Sequence, residues 1–164
     1  MKKDLDEELC RKYPLIFKDR NGPMDQTSMC WGFDIDDGWY PIINMLCISI
    51  QNHIDQVQRD IDWTIKFNAD LETAKNNNWE NWADVWGKEP RTIPDPIEQV
   101  VATQVKEKFG TLRFYYCGGD NYIRGLVDMA ENMSGVMCEV CGSPGWRRRG
   151  SWFRTLCEEH RHTA

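Results

Sequence analysis

The chain has 164 residues, 41% of them hydrophobic and 28% charged, with 20 Lys and Arg against 26 Asp and Glu. That balance fits one folded domain, or a domain with a small appendage, and excludes a disordered chain. No run of about 18 apolar residues exists, so no helical membrane span is predicted, and the polar start Met1 to Glu8 lacks the apolar core of a signal peptide. A cytoplasmic protein is expected.

Residues 3–12 read as a short polar helix that stops before Tyr13-Pro14, because a residue preceding proline avoids the helical region. Leu15-Ile16-Phe17 is an apolar anchor, and residues 18–30 form a loop with Asn21-Gly22-Pro23 as its turn. The longest helix is predicted from about Tyr40 to about Ala74, with Asp36 or Asp37 capping its first amides. Its apolar face is read from Leu46, Ile50, Ile54, Val57, Ile61, Ile65 and Leu71, mostly at steps of four. Asn76-Asn77-Asn78 ends it. Trp79, Trp82 and Trp86 follow at helical spacing, and Gly87, Pro90, Pro94 and Pro96 make a stiff extended linker. Residues 75–97 are thus a Trp/Pro-rich insert.

The clearest sheet signal comes next. Val100 to Val105 is rich in β-branched residues, and Thr111 to Cys117 alternates large side chains between two faces. Lys106 to Gly110 joins them into an antiparallel hairpin. Asp120 caps a second helix whose apolar face is Ile123, Leu126, Val127, Ala130 and Met133, and Gly135 stops it. A lone hairpin is not stable in water, so the helices must cover it. The predicted class is α+β: a long helix and a second helix packed on a small antiparallel hairpin or sheet, residues 1–137. A metal-binding module of residues 138–164 sits at the C-terminus.

Cys138-Glu139-Val140-Cys141 and Cys157-Glu158-Glu159-His160 carry the sharpest motif, two pairs of two-residue spacing separated by 15 residues. Zinc takes four thiolate or imidazole ligands in a tetrahedron, and this spacing lets both members of a pair reach one ion. A complete set of four leaves no open position, so one structural zinc ion is expected in a ribbon or treble-clef-like module. His162 is the alternative fourth ligand, since a spacing of four also occurs. The module is Gly-rich and has little to bury, so metal must hold it together. The other thiols, Cys10, Cys30, Cys47 and Cys117, are scattered, and read as small buried hydrophobes.

The module carries five arginines against three glutamates, a net of +2, so the overall −6 places −8 on residues 1–137. An acidic body argues against broad nucleic-acid wrapping, but leaves a local anion site possible at the basic end. Trp146-Arg147-Arg148-Arg149 with Trp152 sets arginines among aromatics, which suits phosphate and bases as well as a solvated loop that pairs with the body. Arg113 on the hairpin could join such a site. Trp79, Trp82 and Trp86 are either core or, if exposed, anchors for a partner. No phosphate loop, nucleophile elbow, catalytic carboxylate pair or open metal site is present in the sequence, so nothing in it asks for an enzyme.

Lys108-Phe109-Gly110-Thr111-Leu112-Arg113-Phe114-Tyr115-Tyr116, Gly118-Gly119-Asp120, Met129-Ala130-Glu131, Cys138 to Gly145 and Thr155 to His160 together resemble a family of small tailed-phage and prophage proteins. The Gly38-Trp39-Tyr40-Pro41 entry to the long helix is similar too. The resemblance covers roughly residues 11–65 and 98–160. It implies an accessory binding protein that inhibits a bacterial defence component, by binding a host protein or sequestering a signalling nucleotide. A nucleic-acid-binding zinc ribbon is the alternative.

Overall fold

The computed structural model describes residues 1–77, 89–148 and 152–162. The chain forms two compact units, Met1–Gln51 with Glu98–Ala164, and Asn52–Ile97. The C-terminal Cys/His module therefore belongs to the same unit as the hairpin and the start of the long helix. The class is α+β, as expected.

Helix α1 spans Lys3–Lys12 and α2 spans Tyr40–Asn76. Neither Asp36 nor Asp37 caps α2 as the sequence suggested. A three-residue 3-10 turn, Asp37–Trp39, leads into the helix, and Asp36 at its N-cap makes no side-chain cap bond. Both carboxylates are spent on cations: Asp37 on Lys2 at 2.9 Å and Asp36 on Arg154.

Three strands make the main sheet. Strand β1, Phe33–Asp34, pairs parallel with β2, Val101–Lys108, which pairs antiparallel with β3, Thr111–Cys117. Strand β1 leaves no mark in the sequence, because two residues carry no alternation to read. The hairpin loop is shorter than expected. Strand β2 continues to Lys108, and the turn is only Phe109 and Gly110. A bulge between Ala102 and Gln104 shifts the register, so that Ala102 and Val105, three residues apart, both turn to the core with Leu112 and Phe114.

Phe17 anchors this core, with its ring 5.0 Å from Phe33 and 6.4 Å from Phe114. Trp39, Ile43, Ile50, Val105, Leu112 and Ile123 are all buried there. Helix α3, Asn121–Ser134, starts at Asp120, whose carboxylate accepts the Ile123 amide at 2.9 Å as predicted. It then seals the edge of β3. Ser134 Oγ accepts the Leu112 amide at 2.8 Å and the Glu131 carboxylate accepts the Phe114 amide at 2.9 Å. Those two amides are no longer free to pair with another strand.

In the second unit α2 buries Ile61, Thr64, Phe67, Leu71 and Ala74. Ile65, assigned to the buried face from its spacing, is exposed instead. The Arg91 guanidinium stacks on Trp63 and Phe67, 4.8 Å from each ring. Asn68 and the Arg91 backbone exchange two bonds of 2.8 Å. Trp79, Trp82 and Trp86 lie outside the described residues, as does Arg149. Among the described residues, no helix is long and apolar enough to cross a membrane.

Candidate metal centre

Cys138 follows α3 by a short turn in which Gly145 N–H donates to Val136 O at 2.9 Å, and Met137 bridges Pro144. The chain then folds into a tight knuckle. Cys138 O accepts the Gly142 amide at 2.8 Å, and Cys138 N–H donates to Ser143 O at 2.7 Å. Strands β4, Trp146–Arg148, and β5, Arg154–Leu156, pair antiparallel and carry the chain back, so that Cys157 and His160 arrive beside the knuckle.

The ligand atoms of Cys138, Cys141, Cys157 and His160 all lie within 4.8 Å of one another. Cys141 Sγ and Cys157 Sγ are 3.8 Å apart, and His160 Nδ1 is 3.2 Å from Cys157 Sγ and 3.7 Å from Cys138 Sγ. A tetrahedron with sulfurs about 2.3 Å from a central ion has an edge of about 3.8 Å, so this donor set fits a four-coordinate metal. His162 is not part of the cluster. Its Nε2 accepts from Arg161 Nε at 2.8 Å, so of the two histidines it is His160 that lies with the three thiols.

Cys138 and Cys157 are buried, while Cys141 stands at the surface. Bonds from the Ser143 hydroxyl and amide pull the Cys141 thiol down to about 6. Burial pushes Cys157 up. A cation at the centre would offset that burial by favouring the thiolate. The remaining thiols are of another kind. Burial raises Cys47, and burial with the Asp6 carboxylate pushes Cys10 up to about 12. Neither is a nucleophile at neutral pH. Cys117 is exposed rather than buried, contrary to expectation.

The knuckle rests directly on the start of α2. Gly38 N–H donates to Glu139 O at 2.7 Å, and Trp39 Nε1–H donates to Met137 O at 2.9 Å. A Cβ on Gly38 would overlap the Cys138 and Glu139 carbonyls and the Gly142 amide, so only glycine fits. Arg154 ties the two segments with charge, bonding Glu139 at 3.2 Å and Asp36. Burial raises the Glu139 pKa, against the pull of Arg154.

The other arginines divide. Arg148 stacks 4.3 Å from the Trp146 ring and pairs with Glu158 at 2.8 Å. Arg113 bonds its own strand at Leu112 O and pairs with Glu131 at 3.4 Å. Both spend their charge inside the fold. Arg147 lies on the opposite ribbon face, 4.5 Å from the Phe153 ring. Trp152, on the far side of the loop, donates its indole N–H to Glu107 at 3.0 Å.

A groove of about 410 Å³ runs between α2 and α3, floored by Ile42, Leu46, Ala130 and the methionines 45, 129, 133 and 137. Met133 is exposed there rather than packed in the core, as the sequence had placed it. The step of four through Met129, Met133 and Met137 was the signal for this surface. No family model, curated protein or solved structure matches the chain.

Proposed function

We propose that the four-residue cluster holds one zinc ion and that the protein is a phage-type accessory binding protein. It inhibits a bacterial host defence component, by binding a host protein or sequestering a small signalling nucleotide. One observation carries the metal part of this reading. Three sulfurs and one imidazole converge from a knuckle and a ribbon end, and a complete ligand set of this kind serves folding rather than catalysis. Three thiolates and an imidazole are the donors zinc prefers among common divalent ions. Cys138, Cys141, Cys157 and His160 would hold it, and its chemistry would be structural cross-linking.

With the metal assigned to structure, function falls to exposed surface. The methionine groove offers adaptable apolar contacts, and the ribbon offers arginines beside aromatic rings.

Native mass spectrometry of protein purified from bacteria tests the metal. An excess mass of one zinc over the denatured chain is expected, and a folded, metal-free protein overturns the assignment. Plating of phage on defended bacteria tests the function. Restored plaques on expression of the chain are expected for at least one defence system, and unchanged plating across a panel refutes it.

A further inference from the structure

The turn between β2 and β3 is built against local preference. Phe109 has φ +54° and Gly110 has φ +80°. Positive φ at both central residues is the type I′ arrangement, where asparagine or aspartate normally precedes glycine. Phenylalanine is disfavoured in that left-handed region, and such strain persists where the surroundings hold it in place for use. Here they do. Glu107 accepts the Gly110 amide at 2.5 Å, and Thr155 Oγ1 donates to Gly110 O at 2.5 Å. The strained ring is nevertheless not buried, because Phe109 is 58% exposed.

What surrounds the turn is also unusual. A Cβ at Gly110 would lie 3.5 Å from Arg147 Cγ, so the turn abuts the ribbon face that carries Arg147 and Phe153. Trp152 is 62% exposed, and its indole bond to Glu107 fixes its ring beside the same turn. Two cations sit on two rings: Lys108 Nζ is 5.7 Å from the Phe109 centroid and the Arg147 guanidinium is 4.5 Å from that of Phe153. Among the described residues neither cation makes an ion pair. Of the nearby acids, Glu107 has both oxygens engaged, and Asp36 and Glu139, which with Asp34 line a pocket beside Trp152, are paired with Arg154.

We infer that Phe109, Trp152, Phe153, Arg147 and Lys108 form a composite site for a nucleobase with its phosphate. The rings and the guanidinium plane stack on bases, and Arg147 and Lys108 take the phosphate oxygens. The inference deepens the proposed binding role by naming a ligand class and the residues that meet it. The same chemistry is presented by a free dinucleotide and by a single strand.

The test uses the full-length metal-loaded chain and two fluorescein-labelled probes, the linear dinucleotide pApA and the ten-nucleotide strand dT10, followed by anisotropy. Binding of pApA but not dT10 assigns a free nucleotide. Binding of dT10 assigns a strand, and two phosphate contacts then set a salt slope of about −1.4. Phe109→Asn should weaken binding roughly tenfold, the loss of one stacked base, and raise the urea midpoint, because asparagine suits the turn. Arg147→Gln should weaken binding by a similar factor and leave the midpoint unchanged. Failure of the wild type to bind either probe overturns the inference. So does unaltered binding by both variants, or a fall in stability on Phe109→Asn. Zinc content and phage plating are read separately, so the binding role can survive that failure.

Discussion

The sheet–helix body and the ribbon with its Cys/His cluster belong to one compact unit, yet they differ in what can hold them. The body buries Trp39, Ile43, Ile50, Val105, Leu112 and Ile123 in a shared apolar interior. Among the described residues, the ribbon's own apolar cluster is Leu156 with the thiols Cys138 and Cys157, backed by Val140. A few side chains cannot offset the entropy of ordering about 25 residues, at roughly 1–2 kcal/mol each. The body folds by area, whereas the ribbon would be held by four bonds to the proposed ion. The contrast teaches where each part is vulnerable: the first to cavities, the second to whatever removes a ligand.

Metal removal should have the largest effect. Structural zinc contributes on the order of 10 kcal/mol to the folding of small modules. Chelation, or Cys138→Ser, should therefore abolish amide-exchange protection at Thr155 and Leu156 while Val105 and Leu112 stay protected. Loss of both together would break the comparison and make the ion the keystone of the whole unit. Next comes Leu112→Ala, which should cost about 2–5 kcal/mol in urea unfolding and leave one metal per chain. Gly38→Ala probes the joint between the parts. Its new methyl meets backbone on three sides, so a loss of about 1–3 kcal/mol is expected, accompanied by weaker metal retention in a chelator competition.

The smallest effect is electrostatic and depends on pH. Burial pushes the Asp37 pKa up, but bonds from the Lys2 ammonium and amide outweigh it and hold it below the ordinary aspartate value. The sign follows. A depressed carboxylate contributes stability that is fully present above the unfolded value, about 3.9, and is lost as pH falls through the folded one. The gap between wild type and Asp37→Asn should be under about 1 kcal/mol at neutral pH and should close on acidification. A gap that widens below pH 4 would contradict the assignment.

How legible all this was depends on the distance over which each signal acts. The ligand set was readable because spacing alone brings Cys138 to Cys141 and Cys157 to His160. The Asp120 cap and the α3 boundaries were readable because capping is local. The burial of α2 was readable only in part, because periodicity gives a face but not which neighbours cover it; Ile65 and Met133 both fit an apolar stripe and both face out. The roles of Asp36 and Gly38 were hidden, since their partners lie about a hundred residues further on. Phe109 was hidden for another reason. A hydrophobic residue before glycine at a hairpin tip contradicts turn preference, and only the backbone angle shows that the contradiction is real.

The bond from Trp39 to Met137 spans 98 positions of chain, and the ion pair from Arg154 to Asp36 spans 118. Loops of that size close slowly, and contacts across them form late. With the proposed ion bound, the knuckle would fold early, whereas its seat on the long helix waits for the sheet to assemble. Refolding should accordingly show two clocks: a fast one set by free metal, and a slower one, insensitive to metal concentration, that ends when the Trp39 indole finds its carbonyl.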